Sequence, residues 1–132
     1  GEDGYAVSEA WSGRAQGYMT SPVVVGGHAY LFLRSNRFTC VDLSDGSEGW
    51  TSGPTGDEYW SLVAQGERIL ALANTGILRL INANAEEYDV VGELQVVDGP
   101  SWAHVAVTAP VEGEGTEIFV RGQTSLHAFR WQ

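Results

Sequence analysis

The stretch TSPVVVGGHAYLFLRSNRF, from Thr20 to Phe38, carries the pattern that decides the fold. It aligns without a gap on WSLVAQGERILALANTGIL, from Trp60 to Leu78. Both copies consist of short apolar runs that glycine or small polar residues interrupt, which is typical of strands joined by tight turns. The repeat therefore predicts that one antiparallel unit of strands occurs at least twice along the chain.

A third copy of the same hairpin follows. The stretches YLFLRSNRF, LALANTGIL and IFVRGQTSL begin at Tyr30, Leu70 and Ile118. Their spacing is about 40 and then about 48 residues, and an acidic insertion at 110–115 accounts for the longer interval. Such a period, with several strands in each unit and no sustained helical pattern, is typical of propeller blades. We therefore predict an all-β protein, a β-propeller segment of about three four-stranded antiparallel blades.

The repeats also set the expected boundaries. We predict a single partial propeller domain over residues 1–132, with an outer strand at 5–11, a blade at 20–52, a second blade at 59–96 and a closing blade at 102–131. Closed propellers typically have about 4–8 blades. Since three blades are too few for a closed ring, we expect the chain to be a segment of a longer protein.

Charge and composition exclude several classes of partner. The chain has 17 acidic and 7 basic side chains, for a formal net charge of -10. Such a surface repels phosphate groups, so we expect no nucleic-acid partner and no binding to anionic membranes. Its apolar runs are far shorter than the roughly 18 residues of a membrane helix, so we expect no membrane insertion. The single cysteine, Cys40, cannot form a disulfide within the chain.

The residue types that usually carry chemistry are scattered. His28, His104 and His127 fall in different repeats without the spacing of a metal site. The acidic residues between 42 and 48 do not follow the alternating register of a calcium loop. A Gly-x-Ser-x-Gly sequence, which would mark a serine nucleophile, does not occur in the chain. We therefore predict a protein that is not an enzyme, with no catalytic, cofactor-binding or metal-binding residues and no cofactor.

A lone tryptophan stands beyond a polar turn in CVDLSDGSEGW. This segment resembles the tryptophan-docking motif of quinoprotein-like β-propellers, which are built from PQQ-type (pyrroloquinoline quinone) repeats and carry Ala-x-Asp-x-x-x-Gly-Lys-x-x-Trp. Cys40, Asp42, Gly46 and Trp50 stand at the alanine, aspartate, glycine and tryptophan places, and Ser47 stands at the lysine place. The resemblance implies that Trp50 docks on the adjacent blade, so these four residues are the expected structural docking motif.

The resemblance covers most of the chain, and the last hairpin is similar to the closing blade of such propellers. The second repeat lacks the docking tryptophan, because Leu80, Asn82, Glu86 and Val90 stand at the motif positions by spacing. The similarity thus indicates a C-terminal fragment of a quinoprotein-like propeller, in which the docking tryptophan of the first repeat has no counterpart in the second.

Three functions are compatible with this resemblance. The first is a non-catalytic binding or scaffold module of a larger extracytoplasmic bacterial protein, periplasmic or extracellular, whose partner is another protein or the rest of its parent chain. The alternatives are the sensor region of a receptor kinase and a fragment of a PQQ-dependent dehydrogenase. Those dehydrogenases bind the quinone and calcium on the propeller axis and carry a vicinal cysteine pair, whereas this chain has one cysteine.

Three isolated blades leave surfaces that a ring would bury. We expect two apolar blade faces without neighbours and two unpaired strands, at 5–11 and 126–131. Open edges and large apolar patches favour association. The sequence therefore predicts a possible homodimer, in which the first strand of each copy completes the last blade of the other.

Overall fold

A computed structural model describes residues 4–131, which form three antiparallel sheets without a helix. Among these residues, therefore, no helix is long and apolar enough to cross a membrane. We call the sheets blades 1, 2 and 3. Blade 1 contains β1 (Val23–Val25), β2 (His28–Phe32), β3 (Phe38–Asp42) and β4 (Glu48–Thr51); blade 2 contains β5 (Trp60–Gln65), β6 (Arg68–Ala73), β7 (Ile77–Asn82) and β8 (Asp89–Gln95); blade 3 contains β9 (Ala106–Val107), β10 (Thr116–Arg121) and β11 (Leu126–Trp131).

Strand alternation places a hydrophobic core on each side of blade 2. Successive side chains of a strand point to opposite faces of the sheet, so Ile69 and Ala71 face blade 1 while Leu70 and Leu72 face blade 3. The core between blades 1 and 2 is rich in aromatic side chains, whereas the core between blades 2 and 3 is mostly aliphatic. We call these two packed regions the first joint and the second joint. The predicted all-β class is confirmed.

Blades 1 and 2 share one hairpin register, and blade 3 does not. Tyr30 pairs with Cys40 and Leu70 pairs with Leu80, but Ile118 pairs with Phe129, one residue further along the returning strand. The cause is the turn of blade 3, where the N–H of Gly122 donates to the C=O of Ser125 and leaves only two residues in the loop. As a result Ile118 faces blade 2, although its sequence counterparts Tyr30 and Leu70 face the following blade.

This register corrects the expectation of an apolar outer face on the closing blade. Glu117, Phe119 and Arg121 alternate with the buried side chains of β10, so they point away from blade 2. On the same face, the guanidinium of Arg130 lies 3.2 Å from the carboxylate of Glu117. The outer face of blade 3 is therefore mixed, with Phe119 and Ala128 among charged side chains.

The predicted outer strand at 5–11 is wrong. These residues adopt no strand, and the side chains of Tyr5 and Val7 are 87% and 101% exposed. Trp11 contacts blade 1, whereas the strand edge that residues 5–11 were expected to complete, on β11, belongs to blade 3. Blade 2 stands between them, and a single extended segment without a neighbouring strand has no hydrogen-bonded ladder to join. Blade 3 consequently has three strands within the described part of the chain.

Candidate functional site

Trp50 fills the outer part of the first joint. It lies on β4 opposite Cys40, and its half-buried ring is 6.2 Å from that of Tyr30 and 5.7 Å from that of Tyr88. Its indole N–H donates to the C=O of Asn84 at 2.9 Å, in the connection between β7 and β8. Trp50 thus links the outer strand of blade 1 to the outer turn of blade 2.

The turn that precedes Trp50 is held by side-chain caps. The carboxylate of Asp42 accepts hydrogen bonds from the Oγ and the N–H of Ser44, at 2.6 and 2.8 Å, and these bonds hold the pKa of Asp42 below its ordinary value. The N–H of Gly46 donates to the C=O of Asp42, and Gly46 has a φ of 77°. A left-handed conformation of this kind favours glycine because it has no Cβ.

Trp11 docks on this turn in the way that Trp50 docks on blade 2. Its indole N–H donates to the C=O of Leu43 at 2.7 Å, and a Cβ added to Gly46 would lie 2.5 Å from its ring. Sequence reasoning placed Trp11 on an outer strand and missed this contact. The signal was its position about one repeat period before Trp50.

We expect Gly46→Ala to destabilise the protein more than Gly27→Ala does. Both glycines have a left-handed backbone, with φ of 77° and 79°, so both substitutions bear a conformational cost of about 1–2 kcal/mol. Only at Gly46 does the new methyl group meet the ring of Trp11, since nothing lies within 4 Å of a Cβ at Gly27. Overpacking of this kind adds about 1–3 kcal/mol, measurable by urea unfolding. Equal losses for the two variants would show that Trp11 does not rest on this turn.

A buried polar network lies in blade 2, around the loop that precedes β5. The carboxylate of Asp57, which is 3% exposed, accepts hydrogen bonds from the indole N–H of Trp60 and a guanidinium N–H of Arg79, both at 2.8 Å. It also accepts one from the hydroxyl of Thr75 at 2.7 Å. The Nε of Arg79 donates to Glu93 at 2.8 Å, and the guanidinium lies 4.9 Å from the ring centroid of Trp60. The network joins β5, β7, β8 and the loop before β5.

The sequence analysis did not predict that Asp57 and Arg79 form a buried pair. The available signal was Arg79 itself, which interrupts the apolar strand ILRLI and therefore needs an acidic partner if it is buried. That partner, Asp57, lies in a loop 22 residues earlier, and sequence spacing gives no means of pairing them. The network is satisfied within the protein, because the carboxylate of Asp57 and the guanidinium of Arg79 each have charged partners.

The structure does not bring the histidines together. His28 lies in blade 1 and His127 lies in blade 3. The Nδ1 atom of His104 is hydrogen-bonded to the C=O of the next residue, Val105. Residues 4–131 contain no group of three or more His, Cys, Asp and Glu side chains that could hold a metal ion. Burial raises the pKa of the Cys40 thiol and raises the pKa of Tyr30 to about 12, so both groups stay protonated at neutral pH.

The outer part of the second joint is open where the first joint is filled. Cys40 pairs with Trp50 in blade 1, and the equivalent Leu80 pairs with Gly92 in blade 2. The counterpart of Trp50 by strand pairing is thus Gly92. The expectation of Val90 from spacing is wrong because the turn between β7 and β8 is two residues longer than the turn between β3 and β4: Val41 pairs with Glu48, but Ile81 pairs with Val90. An apolar groove of about 260 Å³ remains there, which we call the second-joint groove. It is lined by apolar residues and one glutamate: Leu70, Leu78, Leu80, Gly92, Glu93, Leu94, Ile118 and Trp131.

The comparisons with known proteins bear on the fold. No protein-family model and no curated protein matches the chain. The chain is similar to the crystal structure of BamB from Moraxella catarrhalis, with a TM-score of 0.68 and 18% sequence identity over 96% of this chain. It spans 38% of the length of the BamB chain. This likeness supports the predicted fold class: the chain is a β-propeller segment of three blades.

Proposed function

We propose that this chain is a non-catalytic, protein-binding segment of a quinoprotein-like β-propeller and that it belongs to a larger extracytoplasmic protein. The observation that carries the proposal is the outer edge of β11, which has no neighbouring strand in the described part of the chain. The second-joint groove lies beside that edge. An unpaired strand edge next to an apolar groove is suited to an extended polypeptide, because the backbone gives affinity and the groove gives specificity.

The buried titratable groups support a structural role rather than a catalytic one. Asp57 and Arg79 are hydrogen-bonded to one another, and the thiol of Cys40 is buried in the first joint with a raised pKa. A catalytic base or nucleophile needs access to a substrate and a pKa suited to its task. These groups instead hold strands and blades together.

Cys40, Asp42, Gly46 and Trp50 serve in this proposal as the docking motif that fixes one blade against the next. The support is that Asp42 and Gly46 shape the turn, while Trp50 reaches Asn84 of blade 2. The same turn receives Trp11 from the preceding segment. The motif thus transmits a fixed orientation between blades, which a binding surface built from several blades requires.

A peptide with alternating apolar residues tests the proposed function. We expect a seven-residue peptide with valine at alternate positions and tryptophan at its end to give a saturable heat in calorimetric titration. The same peptide with N-methyl groups on the backbone edge that would face β11 is the matched control, and it should give none, because it cannot form the ladder. Equal heats from both peptides, or none from either, would contradict binding at the β11 edge.

A further inference from the structure

The connection between blades 2 and 3 carries an exposed tryptophan beside a cavity. The cavity measures about 190 Å³ and lies between that connection and the β10–β11 turn. Trp102, which is 47% exposed, lines it together with Arg121 at the end of β10 and Gln123 in the turn. An aromatic ring, a guanidinium and an amide therefore border one small space, which we call the Trp102 cavity.

Buried neighbours hold the walls of the Trp102 cavity in place. Ser101 is buried; its N–H donates to the C=O of Asn74, and its hydroxyl donates to the C=O of Arg121. A few residues later the buried Val105 packs into the second joint. Trp102 thus lies in a short segment that is anchored on both sides. A wall that is ordered in advance lowers the cost of binding a ligand.

Blade 2 shows how a tryptophan and an arginine together hold a carboxylate. The Oδ2 atom of Asp57 accepts hydrogen bonds from the indole N–H of Trp60 and from the guanidinium of Arg79, both at 2.8 Å. The guanidinium also lies over the ring of Trp60, 4.9 Å from its centroid. Because an indole N–H and a guanidinium are donors without an acceptor atom, one carboxylate satisfies both groups.

The Trp102 cavity has the same two donors and no carboxylate between them. Within residues 4–131, Arg121 forms no salt bridge, and the indole N–H of Trp102 donates to no protein group, in contrast to that of Trp60. Gly99 stands three residues before Trp102, where Asp57 stands three residues before Trp60. The donors of this cavity can therefore receive a carboxylate from outside the chain.

The distribution of charge favours an acidic ligand at this end of the sheets. Turns alternate between the two ends of an antiparallel sheet, so the β10–β11 turn lies opposite the β9–β10 turn. The charged side chains in the β3–β4, β5–β6, β7–β8 and β9–β10 turns are all acidic: Asp45, Glu67, Glu86, Glu87, Glu112 and Glu114. That end repels an acidic ligand, whereas Arg121 attracts one to the other end. Asp98, in the same connection as Trp102, forms no salt bridge with Arg121 in the described part of the chain.

We propose that the Trp102 cavity binds the side-chain carboxylate of an aspartate from a partner protein. The indole N–H of Trp102 and the guanidinium of Arg121 donate to the carboxylate, as Trp60 and Arg79 do to Asp57 within blade 2. The ring of Trp102 offers an apolar wall for the residue next to that aspartate. Tryptophan and arginine are also the residue types that most often dominate the energy of protein interfaces.

The site is separate from the one in the proposed function. The cavity is lined by residues of the blade 2–3 connection and by residues 121–123, whereas the proposed peptide site lies along β11 at 126–131. Binding at one of the two sites can therefore be measured, gained or lost without the other.

Nuclear magnetic resonance of the whole chain, labelled with a heavy nitrogen isotope, tests the proposal because it resolves the indole N–H groups individually. The probe is the peptide Gly-Pro-Thr-Gly-Asp-Gln-Tyr, acetylated and amidated at its ends, which follows the chain around Asp57 and carries one carboxylate. We expect a saturable shift of the indole signal that is absent from Trp102→Phe. The same peptide with asparagine in place of aspartate is the matched control and should give no saturable shift.

Two arginine variants separate a specific contact from general attraction. Arg121→Gln should weaken binding of the aspartate peptide roughly tenfold or more, the effect of losing a hydrogen bond to a charged group. Arg130→Gln removes the same charge from the same blade outside the cavity, and it should leave the affinity unchanged. Unchanged signals from the other indole groups show that both variants keep the fold. Equal losses in the two variants would overturn the proposal, since charge alone would explain the binding.

The other outcomes also decide the matter. The proposal fails if the Trp102 signal does not shift, or if the aspartate and asparagine peptides shift it equally. A third peptide, with asparagine and a free carboxyl end, tests the other source of a carboxylate; binding of this peptide alone would refute the aspartate side chain as the ligand. If the valine peptide binds β11 and the aspartate peptide does not bind, the proposed function stands and this inference fails. The reverse result would refute the β11 site and support the Trp102 cavity.

Discussion

Asp57→Ala is expected to lower the free energy of unfolding by about 3–5 kcal/mol, the range for removing one partner of a buried ion pair. The substitution leaves Arg79, which is buried, without its buried carboxylate partner, and it also removes the acceptor for the indole N–H of Trp60. A buried charge that keeps only a half-exposed partner and an unpaired donor in the protein interior are both costly. Urea unfolding followed by circular dichroism measures the loss.

Glu93→Ala is the matched control for this variant. Glu93 binds the same guanidinium at 2.8 Å, but its side chain is 51% exposed, so solvent screens the pair. We expect a loss of about 0–1 kcal/mol there. If the two variants lose the same amount, burial of Asp57 is not what makes its interaction strong.

The double variant Asp57→Ala with Arg79→Met separates the buried charge from the rest of the network. Replacing both members of a buried pair with apolar groups is often far less harmful than removing one of them. We therefore expect the double variant to recover part of the stability lost by Asp57→Ala. A double variant less stable than Asp57→Ala alone would show that Arg79 stabilises the blade through its stacking on Trp60.

Trp60→Ala is expected to have a loss of similar size, about 3–5 kcal/mol, because it removes a large aromatic side chain from a packed core. Trp60 is completely buried, and its ring lies 4.8 Å from that of Phe32 and 5.2 Å from that of Phe38 on blade 1. The substitution thus opens a cavity at the centre of the first joint and also removes one of the two hydrogen bonds that Oδ2 of Asp57 accepts.

Trp102→Ala is the control for aromatic truncation. Trp102 is 47% exposed and has one aromatic neighbour, Tyr59, at 6.0 Å, so we expect a loss of about 1 kcal/mol or less. If Trp60→Ala does not fold, Trp60→Phe keeps most of the packing and should show an intermediate loss in the same urea measurement. Equal losses for Trp60→Ala and Trp102→Ala would mean that the first joint is not the main source of stability.

The sequence predicted the fold where its repeats are regular and failed where one turn changes length. The β2–β3 loop of blade 1 and the β6–β7 loop of blade 2 have the same length. Residues that align in the sequence therefore also point to the same face of their sheets. The loop before Ser125 is shorter by one residue, and because side chains alternate along a strand, this reverses the faces of β10. An alignment by residue type cannot register that reversal.

The candidate site divides in the same way. Trp50 stands in a turn and a strand of one local motif, so spacing alone pointed to it, whereas spacing could not name Asn84 as the acceptor of its indole N–H. The network of Asp57 with Arg79 depends on a loop folding back over a strand, so only the three-dimensional structure reveals it. Whether residues 5–11 form a strand depends on whether another strand lies beside them, and their own sequence does not determine that.

The unequal joints have a consequence for how the molecule opens. The first joint is held by Trp50, Trp60 and the network of Asp57, whereas the second joint contains an unfilled groove with Gly92 in the place of a tryptophan. Regions with fewer buried contacts exchange their amide hydrogens through local opening at lower free energy than the global transition. Blade 3 should therefore unfold as one cooperative unit while blades 1 and 2 remain folded together. The amide hydrogens of blade 3 should exchange at a lower free energy of opening than those of blades 1 and 2.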